Sequence, residues 1–272
     1  MSLEIHGLSM SIGSRAIIRD VDASVADGER VGLVGASGSG KSMLARTVLG
    51  LAPVDAHVRG SALLDGRQTV GASDEELADV RGRFAGMIFQ NPAASLNPLT
   101  AVVDQVMLPL RIHYDLSRSE RRDRAMAMLD TVGISNRLAR SFPSELSGGQ
   151  QQRVAIATAL VTSPRLIVAD EPTTALDSIT QRQILDLLVS LVDDSGASLL
   201  FITHDFSVLM RTVTRCYVLD EGRIVDESAI GEMGGPASAE QTRRLVDAAR
   251  RLRLPSGRGG ASAPARKGGR DE

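Results

Sequence analysis

The N-terminal segment alternates between apolar and polar positions, a pattern that predicts β-strands. The alternation runs over residues 3–11 and again over residues 17–25. A period of two places successive side chains on opposite faces of a strand, so each segment can turn one apolar face toward a core. A turn at Asp27 and Gly28 then leads into a third strand at residues 29–34. The chain is therefore predicted to open as β-structure.

The pattern changes to helical spacing after Gly35. Residues 41–49 have the helical period, and Gly50 stands where a glycine commonly ends a helix. Two further helix starts are indicated by capping boxes, in which a serine and a glutamate three residues later satisfy free backbone N–H groups. The two pairs are Ser73 with Glu76 and Ser117 with Glu120.

Strand patterns are absent from about residues 91–162, which predicts a helical subdomain. Its helices are predicted at residues 100–111, 119–132 and 150–161. After Pro164, short apolar strands alternate with helical segments, as in a mainly parallel α/β sheet. The strands are predicted at residues 166–169, 199–203 and 217–219, and the helices at 181–192 and 206–213.

The C-terminal region divides into a helix and a tail. We expect one main domain over residues 1–235 and a helix over 236–254, in which Leu245, Val246, Ala249 and Leu252 recur at helical spacing. This apolar stripe is predicted to pack on the body or on a partner. Residues 255–272 are rich in proline, glycine, serine and alanine. Such a segment buries too little apolar surface to offset the entropy of ordering, so a disordered tail is predicted.

The composition is that of an ordinary globular protein of 272 residues, with 43% hydrophobic and 24% charged residues. The 31 basic and 33 acidic residues leave a net charge of −2, which gives no electrostatic reason to expect nucleic acid as a partner. Cys216 is the only cysteine, so no intrachain disulfide is expected. Neither a bilayer-spanning apolar stretch nor a signal-peptide pattern is present. We expect a cytoplasmic chain whose membrane-spanning partner, if any, is another polypeptide.

A complete phosphate-binding loop follows the third predicted strand and precedes a helix. Its sequence is Gly35, Ala36, Ser37, Gly38, Ser39, Gly40, Lys41 and Ser42, which fits the pattern G-x-x-x-x-G-K-S. The glycines let backbone N–H groups converge on phosphate oxygens, and the helix presents its positive end to the same anion. We expect Lys41 to contact the β- and γ-phosphates and the Ser42 hydroxyl to bind Mg²⁺.

Two carboxylates stand at the end of an apolar strand, where a purely structural strand would not carry them. Asp170 can hold Mg²⁺ and Glu171 can act as the general base for an attacking water. His204 follows the apolar strand at residues 199–203, so we expect it at the same carboxyl edge, near the γ-phosphate. The other histidines, His6, His57 and His113, lack such a context and are interpreted as surface or packing residues.

A second candidate anion site is formed by Ser147, Gly148, Gly149 and Gln150, directly before a predicted helix. The segment offers a hydroxyl, flexible backbone donors and a helix N-terminus. Taken by itself it is more typical of a helix N-cap and a loop. The other motifs shift the balance toward a role in binding phosphate.

The order of these motifs resembles that of ABC-transporter ATPases over about residues 3–230. The resemblance covers the Walker A loop at residues 35–42, Gln90 of the Q-loop, the LSGGQ signature at 146–150, Asp170 and Glu171, the D-loop Ala175-Leu176-Asp177, and His204. It implies a P-loop NTPase (RecA-like) core of α/β class, with an N-terminal antiparallel β subdomain and a helical signature subdomain. ATP and Mg²⁺ are the implied cofactors, with Gln90 at both the catalytic and the metal site.

The resemblance also implies a head-to-tail dimer. Ser147, Gly148, Gly149 and Gln150 of one cassette would close over the ATP held by Lys41 of its partner, with Asp177 also at the nucleotide. The second cassette could be an identical copy or a homologue. Two membrane permease subunits and, indirectly, an extracytoplasmic substrate-binding protein are further implied partners. At the entrance of the helical subdomain, Phe89, Pro92, Leu96 and Pro98 are expected to form an apolar surface that binds the permease. The expected location is peripheral, on the cytoplasmic face of the inner membrane.

The segment from Phe89 to Pro98 resembles the Q-loop region of the peptide/nickel importers, and residues 170–177 agree with that subfamily. Import of short peptides, nickel or metal chelates is therefore favoured. This chain departs from the pattern at Asn91, where an acidic residue is usual, and at Ile12, where an aromatic residue often stacks on adenine. It also lacks the cysteine cluster of some peptide importers.

Two other function classes were weighed. A non-transport ABC ATPase of DNA repair or translation would carry two Walker A motifs in tandem or a long heptad arm, and neither is present. In an ordinary P-loop kinase or GTPase, the signature, Gln90 and His204 would have no function. ATP hydrolysis coupled to import is the function that the sequence predicts.

Overall fold

The computed structural model describes residues 1–174 and 176–252. The described strands are β1 Leu3–Ile12, β2 Arg15–Val25, β3 Arg30–Val34, β4 Ala56–Leu64, β5 Arg67–Gln68, β6 Ala85–Ile88, β7 Leu166–Asp170, β8 Ser198–Thr203, β9 Arg215–Asp220 and β10 Arg223–Ala229. The α-helices are α1 Lys41–Val48, α2 Asp74–Ala78, α3 Pro92–Ser95, α4 Val102–His113, α5 Arg118–Thr131, α6 Gly148–Leu160, α7 Ser178–Ser195, α8 Phe206–Thr212 and α9 Glu240–Leu252. The predicted tail at 255–272 lies outside these residues, as does Ala175.

Two sheets form the frame of the molecule. The smaller sheet is antiparallel over the β2, β1 and β4 strands, in the order β2-β1-β4-β5. The larger sheet has the order β10-β9-β3-β8-β7-β6, and its strands from β9 to β6 pair in parallel. The predicted fold class, an α/β core with an N-terminal antiparallel sheet, is confirmed.

The strands β4, β5, β6 and β10 were not predicted from the sequence. The β6 strand has only four residues and includes Gly86, where a Cβ atom would lie 2.5 Å from the backbone oxygen of Ala159 on α6. Helix α6 can therefore pack close to the sheet only because position 86 has no side chain. The β10 strand is an edge strand without clear apolar alternation, and it pairs antiparallel with β9.

Helices α3 to α6 occupy the chain between β6 and β7, so the predicted helical part is confirmed. Helices α4, α5 and α6 contribute Val106, Leu110, Leu129 and Ile156 to one continuous buried core. That core continues beneath the larger sheet to Ile167. Both predicted capping boxes are present, at Ser73 and Ser117. The exact domain boundaries stay predictions.

The larger sheet has a second core on its other face, between it and the antiparallel sheet. Alternate residues of β3 contribute to the two cores: Val31 and Leu33 face the antiparallel sheet, and Val34 belongs to the core of the helical part. Helix α1 adds Leu44 to the core shared with the antiparallel sheet. The β3 strand is thus packed on both sides, which gives the loop that follows it a rigid base.

The C-terminal helix α9 packs on the body. Val246 is 2% exposed and lies in the larger core, against which Leu245 and Ala249 also pack. The backbone N–H of Ala239, just before the helix, donates to the Asp226 carboxylate on β10 at 2.9 Å. The predicted helix and its apolar stripe are present; the side chain of Leu252 lies outside what the structure describes. Cys216 is buried, as predicted.

Candidate functional site

The site is assembled at the carboxyl ends of four neighbouring strands. The order β3-β8-β7-β6 brings together the loop after β3, His204 directly after β8, Asp170 and Glu171 at the end of β7, and Gln90 two residues after β6. Residues far apart in sequence converge because parallel strands end at one edge of the sheet. Ligands of open α/β sheets bind at this edge.

The phosphate-binding loop depends on glycine at two positions. A Cβ atom at Gly35 would lie 2.1 Å from the backbone oxygen of Leu219, so only glycine lets the loop leave β3 beside β9. Gly40 has a φ of 106° and caps the N-terminus of α1, a conformation that side chains disfavour. The loop therefore delivers its backbone directly to the start of α1, where Lys41 is the first helical residue.

Lys41 is held within its own loop. Its Nζ atom donates hydrogen bonds to the backbone oxygens of Gly35 at 2.8 Å and Ala36 at 2.9 Å. Burial lowers the pKa of Lys41, and the nearby carboxylates of Glu171 and Asp170 counteract that effect. The side chain thus has donors of the kind that contact phosphate oxygens, placed at the N-terminus of a helix.

Ser42 and Asp170 form a pair of oxygen ligands. The Ser42 hydroxyl donates to Asp170 Oδ1 at 2.9 Å, across from α1 to the end of β7. Asp170 is 2% exposed, and burial raises its pKa while the hydrogen bond from Ser42 counteracts that effect. A buried carboxylate beside a hydroxyl fits Mg²⁺, which takes oxygen ligands and offsets the cost of burying the charge.

Glu171 is the centre of a hydrogen-bonded cluster. Its Oε2 atom accepts from Gln90 Nε2 at 3.0 Å and from Thr174 Oγ1 at 2.9 Å, and its Oε1 atom lies 3.0 Å from His204 Nδ1. The residue has a φ of 46°, in the left-handed region that costs a non-glycine residue about 1–3 kcal/mol. Backbone strain of this size at a carboxylate held by three side chains is typical of a functional position.

These residues line one cavity of about 560 Å³. Its lining comprises Ile17, Ser37, Gly38, Gly40, Lys41, Ser42, Met43, Gln90, Glu171, Thr174 and His204. The phosphate-loop residues and the catalytic candidates that the sequence predicted are therefore brought together. Thr174, Ile17 and Met43 were missed, because their position depends on packing and turn geometry that no motif describes.

Ile12 does not line this cavity, and its contact with adenine stays a prediction. It lies at the end of β1, opposite Arg15 and Ala56, and packs partly against the core of the antiparallel sheet. Ile17 on β2 lines the cavity instead, and its backbone oxygen would lie 2.9 Å from a Cβ atom at Gly40. The strand that passes over the phosphate-binding loop is thus β2, and Ile17 is its apolar residue there.

The signature residues lie outside this cavity and form a helix cap. The Ser147 hydroxyl accepts from the backbone N–H of Gln150, and the Gln150 side chain accepts from that of Ser147, so the two residues form a capping box at the start of α6. Gly148 and Gly149 make up the first turn of α6. None of these four residues lines the phosphate-loop cavity of the same chain.

Asp177 has a structural role of the same kind. Its carboxylate caps α7 by accepting from the backbone N–H groups of Ile179 and Thr180, each at 3.0 Å, and from the Thr180 hydroxyl at 2.7 Å. These hydrogen bonds, led by that from Thr180, lower the pKa of Asp177. A Cβ atom at Gly149 would lie 2.7 Å from Thr180 Cγ2 on α7, and one at Gly148 would lie 3.7 Å from Leu176 Cδ2 of the D-loop. The signature therefore packs against the D-loop and the start of α7. Any contact of Asp177 with nucleotide stays a prediction.

A glycine-rich loop between a buried strand and a helix, with its lysine near the two carboxylates at the end of β7, defines a P-loop nucleotide-binding protein. Residues 18–174 match the family described as ABC transporter. The chain belongs to this family, and the predicted resemblance is confirmed.

Several characterised or named proteins are similar over most of this chain. A putative peptide import ATP-binding protein of Brucella melitensis is 44% identical over 247 residues, covering 85% of this chain and 72% of that protein. The oligopeptide transport ATP-binding protein OppD of Mycobacterium tuberculosis is 42% identical over 219 residues, covering 79% of this chain. The chain spans only 36% of the length of that mycobacterial protein.

A solved structure is similar in fold and sequence. It is a dimeric ATP-binding cassette in a post-hydrolysis state, bound to ADP and Pi, with a TM-score of 0.75 and 34% identity. The alignment covers 84% of this chain and 98% of that chain. Among the described residues of the present protein, no helix is long and apolar enough to cross a membrane.

Proposed function

We propose that this chain hydrolyses ATP to power an importer of short peptides, as a peripheral subunit on the inner face of the cell membrane. The observation that carries the proposal is the Glu171 cluster, which places a carboxylate beside the phosphate-binding loop with three side chains to orient it. The names of the Brucella and mycobacterial relatives support peptide as the cargo. They do not favour DNA repair or translation.

Each residue of the site would have its own role in ATP hydrolysis. Lys41 and the backbone N–H groups of its loop would bind the phosphates, and Ser42 with Asp170 would hold Mg²⁺, which neutralises phosphate charge when bound. Glu171 would accept a proton from the attacking water as general base. His204 and Gln90 would keep its carboxylate oriented. Positioning and charge stabilisation account for most of the catalysis in phosphoryl transfer.

A second cassette is part of the proposal. The similar solved structure is a dimer, and the signature cap of this chain does not line its own phosphate cavity. The N-terminus of α6 is thus available for the nucleotide of another cassette, either a second copy or a homologue. Ser147, Gly148, Gly149 and Gln150 would supply donors there, as the sequence predicts.

The permease subunits would bind in an apolar groove between the sheet and the helical part. A cavity of about 250 Å³ is lined by side chains of α4, α6, β6 and the end of α1, including Leu51, Phe89, Leu96, Pro109 and Thr162. The sequence analysis proposed Phe89, Pro92, Leu96 and Pro98 as this surface. Phe89 and Leu96 do line the groove, whereas Pro92 and Pro98 do not.

Leu96 is 5% exposed and belongs to the buried core, so a charge placed there would test folding rather than docking. Leu51 is the better probe, because it lines the groove and is 39% exposed. A glutamate at Leu51 would have to be desolvated in an apolar interface, and interfaces tolerate unpaired buried charge poorly.

The matched control is Val54→Glu, because Val54 is fully exposed and does not line the groove. The tagged chain would be purified from detergent-solubilised membranes of its native host and its co-purifying proteins identified. We expect wild type and Val54→Glu to retain polytopic permeases, and Leu51→Glu to lose them while keeping its ATP turnover. Purification of the wild type with DNA-repair or ribosomal proteins in place of permeases would contradict the transport function.

A further inference from the structure

We propose that Thr174 is a positioning residue that fixes the orientation of the Glu171 carboxylate. The inference rests on the ATP hydrolysis proposed above. Thr174 lies three residues after Glu171, lines the same cavity, and donates its hydroxyl proton to Glu171 Oε2 at 2.9 Å. Neither the carboxylate pair Asp170 and Glu171 nor the D-loop sequence that follows assigns Thr174 this role.

The hydroxyl has two acceptors within reach and one proton to donate. The backbone oxygen of Glu171 is 3.3 Å from Thr174 Oγ1, compared with 2.9 Å for the carboxylate oxygen. The shorter contact is to the charged acceptor, and hydrogen bonds to charged groups are the stronger ones. The Thr174 proton is therefore assigned to the Glu171 carboxylate.

Thr174 differs from Gln90 and His204 in its position along the chain relative to Glu171. Gln90 and His204 reach the carboxylate from the ends of β6 and β8, and Gln90 directly follows Phe89 in the proposed permease groove. Movement of a bound permease would therefore act on the contact made by Gln90. Thr174 is in the same tight turn as Glu171, whose backbone oxygen accepts the Thr174 N–H at 3.4 Å.

A local donor of this kind keeps Oε2 in place whatever the permease does. Gln90 and Thr174 both bond to Oε2, and His204 Nδ1 lies 3.0 Å from Oε1. Because Oε2 is held, the carboxylate cannot rotate about its terminal bond without breaking the Thr174 contact. The remaining lone pairs then keep a constant direction toward the cavity, which is what a general base needs.

The experiment compares Thr174→Val with Thr174→Ser in the purified, assembled transporter. Valine keeps the branched shape and removes only the hydroxyl, whereas serine keeps the hydroxyl and removes the methyl group. We expect Thr174→Val to lower kcat for ATP about tenfold, the rate equivalent of losing a hydrogen bond to a charged group. KM for ATP and the thermal midpoint should not change. Thr174→Ser should restore kcat to within about twofold of wild type.

Three results would overturn the inference. Unchanged kcat in Thr174→Val would show that the hydroxyl does not orient the base, and an equal loss in Thr174→Ser would assign the effect to the methyl group or the backbone. A rise in KM at constant kcat would place Thr174 in nucleotide binding and would also refute it. The ATP turnover of the wild type distinguishes failure of this inference from failure of the proposed function. A wild-type protein without ATPase activity would refute the proposed function itself.

Discussion

Replacement of Glu171 by glutamine is the most informative single perturbation of the site. The two side chains have the same shape, and the structure shows how each existing contact can be kept. The amide oxygen can take the place of Oε2 and accept from Gln90 and Thr174. The amide NH₂ then faces His204 Nδ1, which becomes an acceptor in the neutral tautomer with its proton on Nε2.

Glu171→Gln should therefore slow the chemical step and leave folding and ATP binding intact. General base catalysis contributes about 10²–10⁴ to the rate, which corresponds to about 2.7–5.4 kcal/mol of activation free energy. We expect kcat to fall within that range. ATP affinity should stay within about threefold of wild type, because Lys41, Ser42 and the loop are unchanged. A cassette that binds ATP without hydrolysing it should accumulate as the ATP-bound dimer.

The assay measures phosphate release, nucleotide affinity and the monomer–dimer distribution for wild type, Glu171→Gln and a control, Glu76→Gln. Glu76 occupies the third position of the capping box at α2, where glutamine is equally suitable. The same chemical change made there should alter neither turnover nor stability. A kcat for Glu171→Gln within threefold of wild type would remove Glu171 from its role as base.

Three further predictions concern binding and stability. Lys41→Ala should weaken ATP binding tenfold or more in a fluorescent-nucleotide titration, because it removes a charge-assisted contact worth about 1.5–3 kcal/mol; unchanged affinity would refute the phosphate role. Val246→Ala should cost about 2 kcal/mol of unfolding free energy and lower the thermal midpoint by about 4–8 °C. The control Gln241→Ala changes a residue that is exposed on the same helix, and it should leave the thermal midpoint unchanged. Equal thermal midpoints for Val246→Ala and Gln241→Ala would contradict the packing of α9. Truncation after Leu254 should leave turnover unchanged, and a loss would reveal a function of the tail.

The parts of the site that the sequence predicted are those encoded by consecutive residues. Gly35 to Ser42 is a continuous pattern whose glycines are required by the geometry, as the 2.1 Å approach of Leu219 to position 35 illustrates. Asp170 and Glu171 were recognisable because buried strands seldom end in two carboxylates. Each of these signals is local, so one sequence is enough to detect it.

The parts that were missed depend on distant packing. Thr174 contacts Glu171 because a left-handed residue starts the turn between them, and nothing in the composition of the turn indicates that φ. Ile17 lines the cavity because β2 passes close to Gly40, and no sequence motif marks that path of the strand. Leu96 was expected at a surface, but the helical part covers it.

In the proposed function, ATP hydrolysis at Glu171 drives peptide uptake. The most direct test is uptake of a labelled short peptide into proteoliposomes that contain the assembled permeases, this chain, any second cassette and the cognate binding protein, with ATP supplied on the cassette side. We expect ATP-dependent peptide accumulation by wild type and none by Glu171→Gln. ATP-dependent uptake of nickel without any peptide uptake, or peptide uptake that persists in Glu171→Gln, would contradict the proposed function.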